Sequence, residues 1–195
     1  VLSVFTGLRP LAAPQAEGKR TKEISRGHKI IVSASGLVTI FGGKWTTYRK
    51  MAEDVIGKAA RETGLPRVKS RTRDLKIHGH SEKYDPQDPF SWYGSDAEKI
   101  RQIISGDEKL GESLSRILPV CRAQVIWAVR EEMARTAEDF LARRCRILQL
   151  DAIEGLRIAP EIAKIMAEEL GRDQLWIDQQ VESFMELVNI HLLNT

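Results

Sequence analysis

The segment Gly42-Gly43-Lys44-Trp45-Thr46-Thr47-Tyr48-Arg49 has residue types that can do chemistry at close spacing. Two adjacent glycines let backbone approach a flat ligand closely. Apolar residues recur at helical spacing from Tyr48 through Met51, Ala52, Val55, Ile56, Ala59 and Ala60, which predicts a helix starting near Thr46. Its free N–H groups and positive dipole end would then face whatever lies against the glycines, and Lys44 would add a full charge. The alternative is an ordinary strand-to-helix turn with Thr46 or Thr47 as N-cap. A second candidate is Arg9 in Gly7-Leu8-Arg9-Pro10-Leu11. An arginine fixed in a loop after a strand can present its planar fork to a carboxylate or phosphate; it can equally be a surface residue of a turn.

The elements that would position these residues follow from patterning. Val1 to Thr6 is apolar and β-prone, and reads as a core strand cut from a longer chain. Residues 12–28 read as a polar loop. Lys29–Val32 and Leu37–Phe41 read as two strands around a turn at Ser35-Gly36. Gly64-Leu65-Pro66 stops the first helix. Residues 67–94 read as a connector with one short strand at Leu75–His78. From Ser95 onward the pattern is helical. Ser95-Asp96-Ala97-Glu98 has the form of a capping box opening a helix to about Ser105. A second helix is expected over about Arg122 to Ala134, with further starts at Thr136 and Asp151. Pro160 divides the next run into a short helix and another to Leu170, with Gly171 as the closing residue. A last helix runs from about Asp173 to Leu193. The domain reading is therefore 1–66, 67–94 and 95–195.

Charge supports a chain of two parts. Residues 1–73 hold 15 Lys/Arg and 5 Asp/Glu, whereas residues 74–195 hold 15 and 22. A basic first part suits a phosphate, a dinucleotide or an anionic surface. Cys121 and Cys145 form no metal-binding spacing, and reduced thiols in a cytosolic compartment are expected. No apolar run reaches the roughly 20 residues of a transmembrane helix. His78 and His80 share one strand face but have no carboxylate or thiol at ligand spacing, and a connector role is the default.

Taken together, the G-L-R-P-L stretch, the basic loop, the hairpin and F-G-G-K-W-T-T-Y-R-K resemble the FAD-dependent glycerol-3-phosphate dehydrogenases and the related α-glycerophosphate oxidases. The likeness continues through Tyr93-Gly94-Ser95-Asp96, Val129–Thr136 and Asp139–Arg144, and so spans nearly the whole chain. It implies an α+β fragment: a small strand and helix remnant of an FAD-binding oxidoreductase domain, followed by an all-α C-terminal domain. It implies that Arg9 binds the substrate's anionic end. Lys44 would serve as catalytic and substrate-binding residue between substrate and flavin. Gly42, Gly43, Trp45, Thr46 and Thr47 would line the flavin, where the helix start and Lys44 would stabilise negative charge on the reduced ring. The implied reaction is oxidation of glycerol 3-phosphate to dihydroxyacetone phosphate by hydride transfer to flavin, with quinone, or oxygen in the oxidase branch, as acceptor. The resemblance also implies a missing N-terminal FAD domain as partner, and a cytoplasmic protein, peripheral on the inner membrane face in the quinone-linked case. A homo-oligomer stays open, and nucleic acid is not expected.

The G-x-G-x-x-G turn that seats a flavin pyrophosphate is not in this sequence, so the chain alone is expected to be inactive. Two other classes compete. Residues 95–195 can be an interaction module whose last helix packs on a partner. The basic part can bind nucleic acid, although it has no recognisable reader motif. The dense charges over Arg130–Arg146 are open between a solvated face with pairs such as Glu131 to Arg135, a contact with the flavin domain or a subunit, and, for Arg143-Arg144-Cys145-Arg146, docking to a helix end or an anion site. The run Arg67–Arg73 is open between a solvated linker and a contact with anionic lipid.

Overall fold

A computed structural model describes residues 1–8, 27–66 and 68–193. It is an α+β chain of two compact units, one comprising 7–76 and the other 1–6 with 77–195.

The first unit is a hairpin backed by a helix. Strands β1 (His28–Val32) and β2 (Val38–Gly42) pair antiparallel, with Ile30 opposite Ile40 and Val32 opposite Val38. Their period-2 pattern puts Ile30, Val32, Val38 and Ile40 on the half-buried face and Lys29, Ile31, Thr39 and Phe41 on the exposed one. The turn closes through Ser33, whose carbonyl accepts from the Gly36 N–H at 2.9 Å. Helix α1 (Tyr48–Glu62) follows a single 3-10 turn over Trp45–Thr47 and packs back on both strands. Met51 and Val55 turn inward at the expected spacing, whereas Ile56 is exposed. Among the described residues of this unit, none is fully buried.

The second unit is helical: α2 (Ala97–Gly106), α3 (Arg122–Glu131), α4 (Ala137–Arg143), α5 (Ile147–Leu150), α6 (Ala152–Leu170) and α7 (Gln174–His191). Helix α6 is its axis, packed by α3, α4, α5 and α7. Phe140, Leu141, Ile158, Ile162, Met166, Phe184 and Val188 form the main core around it. A smaller cluster of Ile100, Cys121, Ala123 and Trp127 joins α2 to α3. Caps are placed as the composition suggests: Thr136 with Asp139, Asp151 with the Glu154 N–H, and Asp173 with the Trp176 N–H. Gly171, at φ 63°, closes α6.

Four local expectations are corrected. Val1–Thr6 is not a strand: its Val4 N–H donates to the His191 carbonyl, its Ser3 hydroxyl donates to the Leu148 carbonyl, and Leu2 accepts from the Ala152 N–H. Helix ends satisfy its backbone instead of a ladder. Leu75–His78 is likewise irregular. Pro160 does not divide α6. It lies on the exposed side, where water can take the carbonyl it orphans, while Ile158, Ala159, Ile162 and Ala163 stay buried on the other side. Finally, Ser95 does not cap α2. The chain over Ser91–Asp96 forms 3-10 turns around Gly94, and the Ser95 N–H donates across to the Gly79 carbonyl.

Candidate functional site

The glycine pair adopts the conformation that only glycine takes easily, with Gly42 at φ 75° and Gly43 at φ 86°. The Gly43 N–H donates to the Gly27 carbonyl at 3.2 Å. A Cβ at Gly43 would meet the Met51 sulfur at 2.5 Å and the His28 Cβ at 3.3 Å. Part of the demand for glycine here is therefore internal, set by how tightly α1 folds back on the hairpin. After the pair, Lys44 is extended and exposed, and its ammonium has no partner among the described residues. Trp45 is 88 % exposed and Tyr48 57 % exposed, with ring centroids 5.9 Å apart.

Thr47 is the N-cap of α1, but its hydroxyl donates backward to the Lys44 carbonyl at 2.9 Å rather than capping forward. No side chain caps the 3-10 turn either. The start of this helix thus presents N–H donors without a side-chain acceptor, next to a double-glycine arch and an exposed indole. Such a surface fits the edge of a flat ring that bears carbonyl acceptors. Gly42, Gly43, Lys44, Trp45, Thr46 and Thr47 are brought together; Arg9 lies outside the described residues.

Beside this segment, His28 and Lys50 both engage Asp54, at 3.1 and 2.8 Å. The Lys50 ammonium and the His28 ring hold the Asp54 carboxyl below its ordinary range. An open cavity of about 620 Å³ continues along α1, lined by His28, Asp54, Lys58, Arg61, Lys69 and Ser70.

In the helical unit, the charged stretch 130–146 joins several helix ends while Arg130, Glu131, Arg135, Arg143 and Arg146 stay exposed. Arg130 forks onto Glu169 of α6 at 2.6 and 2.8 Å. Arg135 donates to the Val129 carbonyl at 2.9 Å and to the Ala134 carbonyl, closing the end of α3. Asp139 accepts from the Arg135 and Thr136 N–H groups. Arg144 donates to the Glu132 and Asp139 carbonyls, and Arg143 pairs with Glu138 and Asp139. Arg144 thus docks on a helix end. The turn places Met133 (φ 57°) and Arg146 (φ 60°) in the left-handed region.

Sequence reasoning missed three features of this unit. Asp96, buried, ties His78 at 2.5 Å to Lys99 at 2.9 Å, and Lys99 also lies over the Trp127 ring; the i,i+3 spacing of Asp96 and Lys99 was the available signal. Glu154, also buried, gathers Ser115, the Arg116 N–H and Arg157, and the Arg157 guanidinium first of all holds its carboxyl down at about 2. The third is a cavity of about 1060 Å³ at the Arg143–Arg146 corner, with Trp92, Tyr93 and Glu132 in its lining. Burial pushes the Glu132 carboxyl up, against a hydrogen bond from the Trp127 side chain and the Arg144 charge. Burial also pushes the Cys145 thiol up to about 11. The sequence leaves the Arg143–Arg146 run open as an anion site and Glu132 within the charged stretch, but nothing in it places the two at one cavity. Among the described residues, no helix is long and apolar enough to cross a membrane.

Comparison with known proteins converges on one family. Residues 37–176 match the family described as the C-terminal domain of alpha-glycerophosphate oxidase. The mitochondrial glycerol-3-phosphate dehydrogenase of Arabidopsis thaliana is 33% identical over 96% of this chain and 34% of its own length. The mitochondrial enzyme of Homo sapiens is 32% identical over 94% of the chain and 28% of its own length. A glycerol-3-phosphate dehydrogenase of Synechocystis is 30% identical over 93% and 36%. The chain therefore spans about a third of the length of the curated relatives it matches. With a match over most of its residues and an exposed, glycine-arched helix start inside that match, this chain belongs to the glycerol-3-phosphate dehydrogenase and alpha-glycerophosphate oxidase family.

Proposed function

We propose that this chain forms the C-terminal part of an FAD-dependent glycerol-3-phosphate dehydrogenase, and that its residues 42–47 lie along the flavin ring. The observation that carries this reading is the uncapped start of the helix after Gly42-Gly43, beside the unpartnered Lys44 and the exposed Trp45. FAD, when bound, supplies the two-electron acceptor for oxidation of the substrate's secondary alcohol to a ketone.

The remaining work falls to the chain. Backbone N–H groups at Trp45 and Thr46 point to where negative charge would gather at the ring edge. The Lys44 ammonium orients the glycerol 3-phosphate oxygens, and Arg9 takes the phosphate through its fork. Quinone is the proposed onward acceptor, which puts the protein at a membrane surface as a peripheral component. The alternative, oxygen as acceptor, is favoured by the oxidase description of the matched domain and would be read out as peroxide formation. The missing flavin-domain partner and glycerol 3-phosphate itself belong to the same proposal.

The test uses a full-length flavoprotein that carries these residues, with Lys44→Ala and Arg9→Ala. Flavin reduction is followed anaerobically after adding glycerol 3-phosphate. Either variant should lose rate or substrate affinity by at least about tenfold, or ~1.4 kcal/mol. Normal reduction in both variants would remove the site assignment and move the interaction-module reading forward.

A further inference from the structure

We propose that the cavity at the Arg143–Arg146 corner binds an amphipathic organic monoanion, a carboxylate on an aliphatic or aromatic body, with Arg146 taking the head group. It rests on the helical unit alone and does not depend on the flavin reading.

The cavity is about 1060 Å³, at the upper end of the range for small-molecule sites. Its walls are mainly apolar or aromatic. Three apolar side chains of its lining are exposed: Phe5 at 71 %, Trp92 at 59 % and Leu150 at 53 %. Exposed apolar residues scattered singly mean little, but several around one concave opening mark a site. The body of a ligand would lie against these walls.

The head group follows from charge. Three arginines line the cavity, and two are already engaged. Arg143 pairs with Glu138 and Asp139, and Arg144 holds the Glu132 and Asp139 carbonyls. The Arg146 guanidinium is exposed and has no partner among the described residues. Its backbone is left-handed at φ 60°, a conformation unfavourable to an L-residue with a side chain. Glycine or asparagine would hold this turn at less cost, so a long cation here is not explained by the turn. A planar fork without a partner matches a carboxylate. Glu132, in the same lining, would repel a dianion more than a monoanion, and so disfavours a phosphate ester.

Calorimetric titration of the 195-residue chain tests this with three probes: decanoate below its micelle-forming range, decanol as the neutral counterpart, and inorganic phosphate as an anion without a body. Decanoate should bind saturably at one site, decanol at least tenfold more weakly, and phosphate should neither bind nor displace decanoate. Arg146→Gly removes the cation while relaxing the left-handed backbone, so its thermal midpoint should be unchanged or higher. It should weaken decanoate at least tenfold and leave decanol unchanged. A second variant, Leu150→Asp, should weaken both apolar probes. Equal binding of decanoate and decanol would mean an apolar surface only. Displacement of decanoate by phosphate would mean a simple anion site, and full decanoate affinity in Arg146→Gly would remove the assigned head-group contact. Each of these results overturns the proposal.

Discussion

Replacing Glu154 with Gln should destabilise the helical unit in a way that depends on pH. The carboxylate accepts from the Ser115 hydroxyl at 3.0 Å, the Arg116 N–H at 2.7 Å, and Arg157 through Nε and Nη2 at 2.7 Å each. It thereby pins the loop before α3 to the first turn of α6. Holding a carboxyl at about 2 rather than 4.5 sets a ceiling of about 3 kcal/mol, at ~1.4 kcal/mol per pH unit. Arg157 is 38 % exposed, and water screening lowers the expected loss to about 2 kcal/mol. Because the folded-state value is depressed, this stability is fully present above pH 4.5 and is lost as pH falls through about 2. Urea unfolding of wild type and Glu154→Gln at neutral pH, near pH 4 and near pH 2 checks it. The variant should unfold at lower urea at neutral pH, and the two curves should converge near pH 2. Equal midpoints at neutral pH, or a gap that persists in strong acid, would refute the argument.

Gly94→Ala should be far more damaging than its size suggests. Gly94 sits at φ 56°, ψ −123°, and a Cβ there would lie 1.7 Å from the Gly79 carbonyl oxygen; a loss of about 3 kcal/mol or more is expected in chemical denaturation. Gly106→Ala, at a helical position with nothing within 4 Å, should instead leave stability equal or raise it by about 0.5–1 kcal/mol. Arg144→Ala should cost about 2–3 kcal/mol in the same assay, since it removes the donors to the Glu132 carbonyl at the end of α3 and to the Asp139 carbonyl in the first turn of α4, and Arg144→Lys should recover less than half, because an ammonium cannot fork between them. Gly43→Ala should lower the helicity of α1 by circular dichroism, since the new methyl group displaces Met51.

Patterns local in sequence were legible. Two β-prone runs around Ser35-Gly36 revealed the hairpin, the period of Met51, Val55 and Ala59 revealed α1, and Thr136, Asp151 and Asp173 announced their helices. Features that depend on distant partners were not. Val1–Thr6 has the composition of a strand, yet only its acceptors on His191 and Leu148 decide that it lies on helix ends. Arg130 finds Glu169, 39 positions away, and no i,i+4 rule could name it. Pro160 obeys its breaker tendency only where the helix has no buried face to hold it, and α6 has one. The glycine-arched helix start was readable because its residues are contiguous. The second cavity was not, because Tyr93, Glu132 and Arg146 come from three separate stretches.

The hairpin and α1 bury none of their described residues completely; an isolated two-stranded hairpin is marginal in water, and this one is backed by α1. Cover by a neighbouring surface would therefore add burial to the unit that bears Lys44 and Trp45. Contact with a neighbouring surface would lower its opening rate and fix the glycine arch in the same event, so that amide exchange over residues 28–62 reports assembly directly. Gain of the helix-start donors and gain of local rigidity would then be one thermodynamic step.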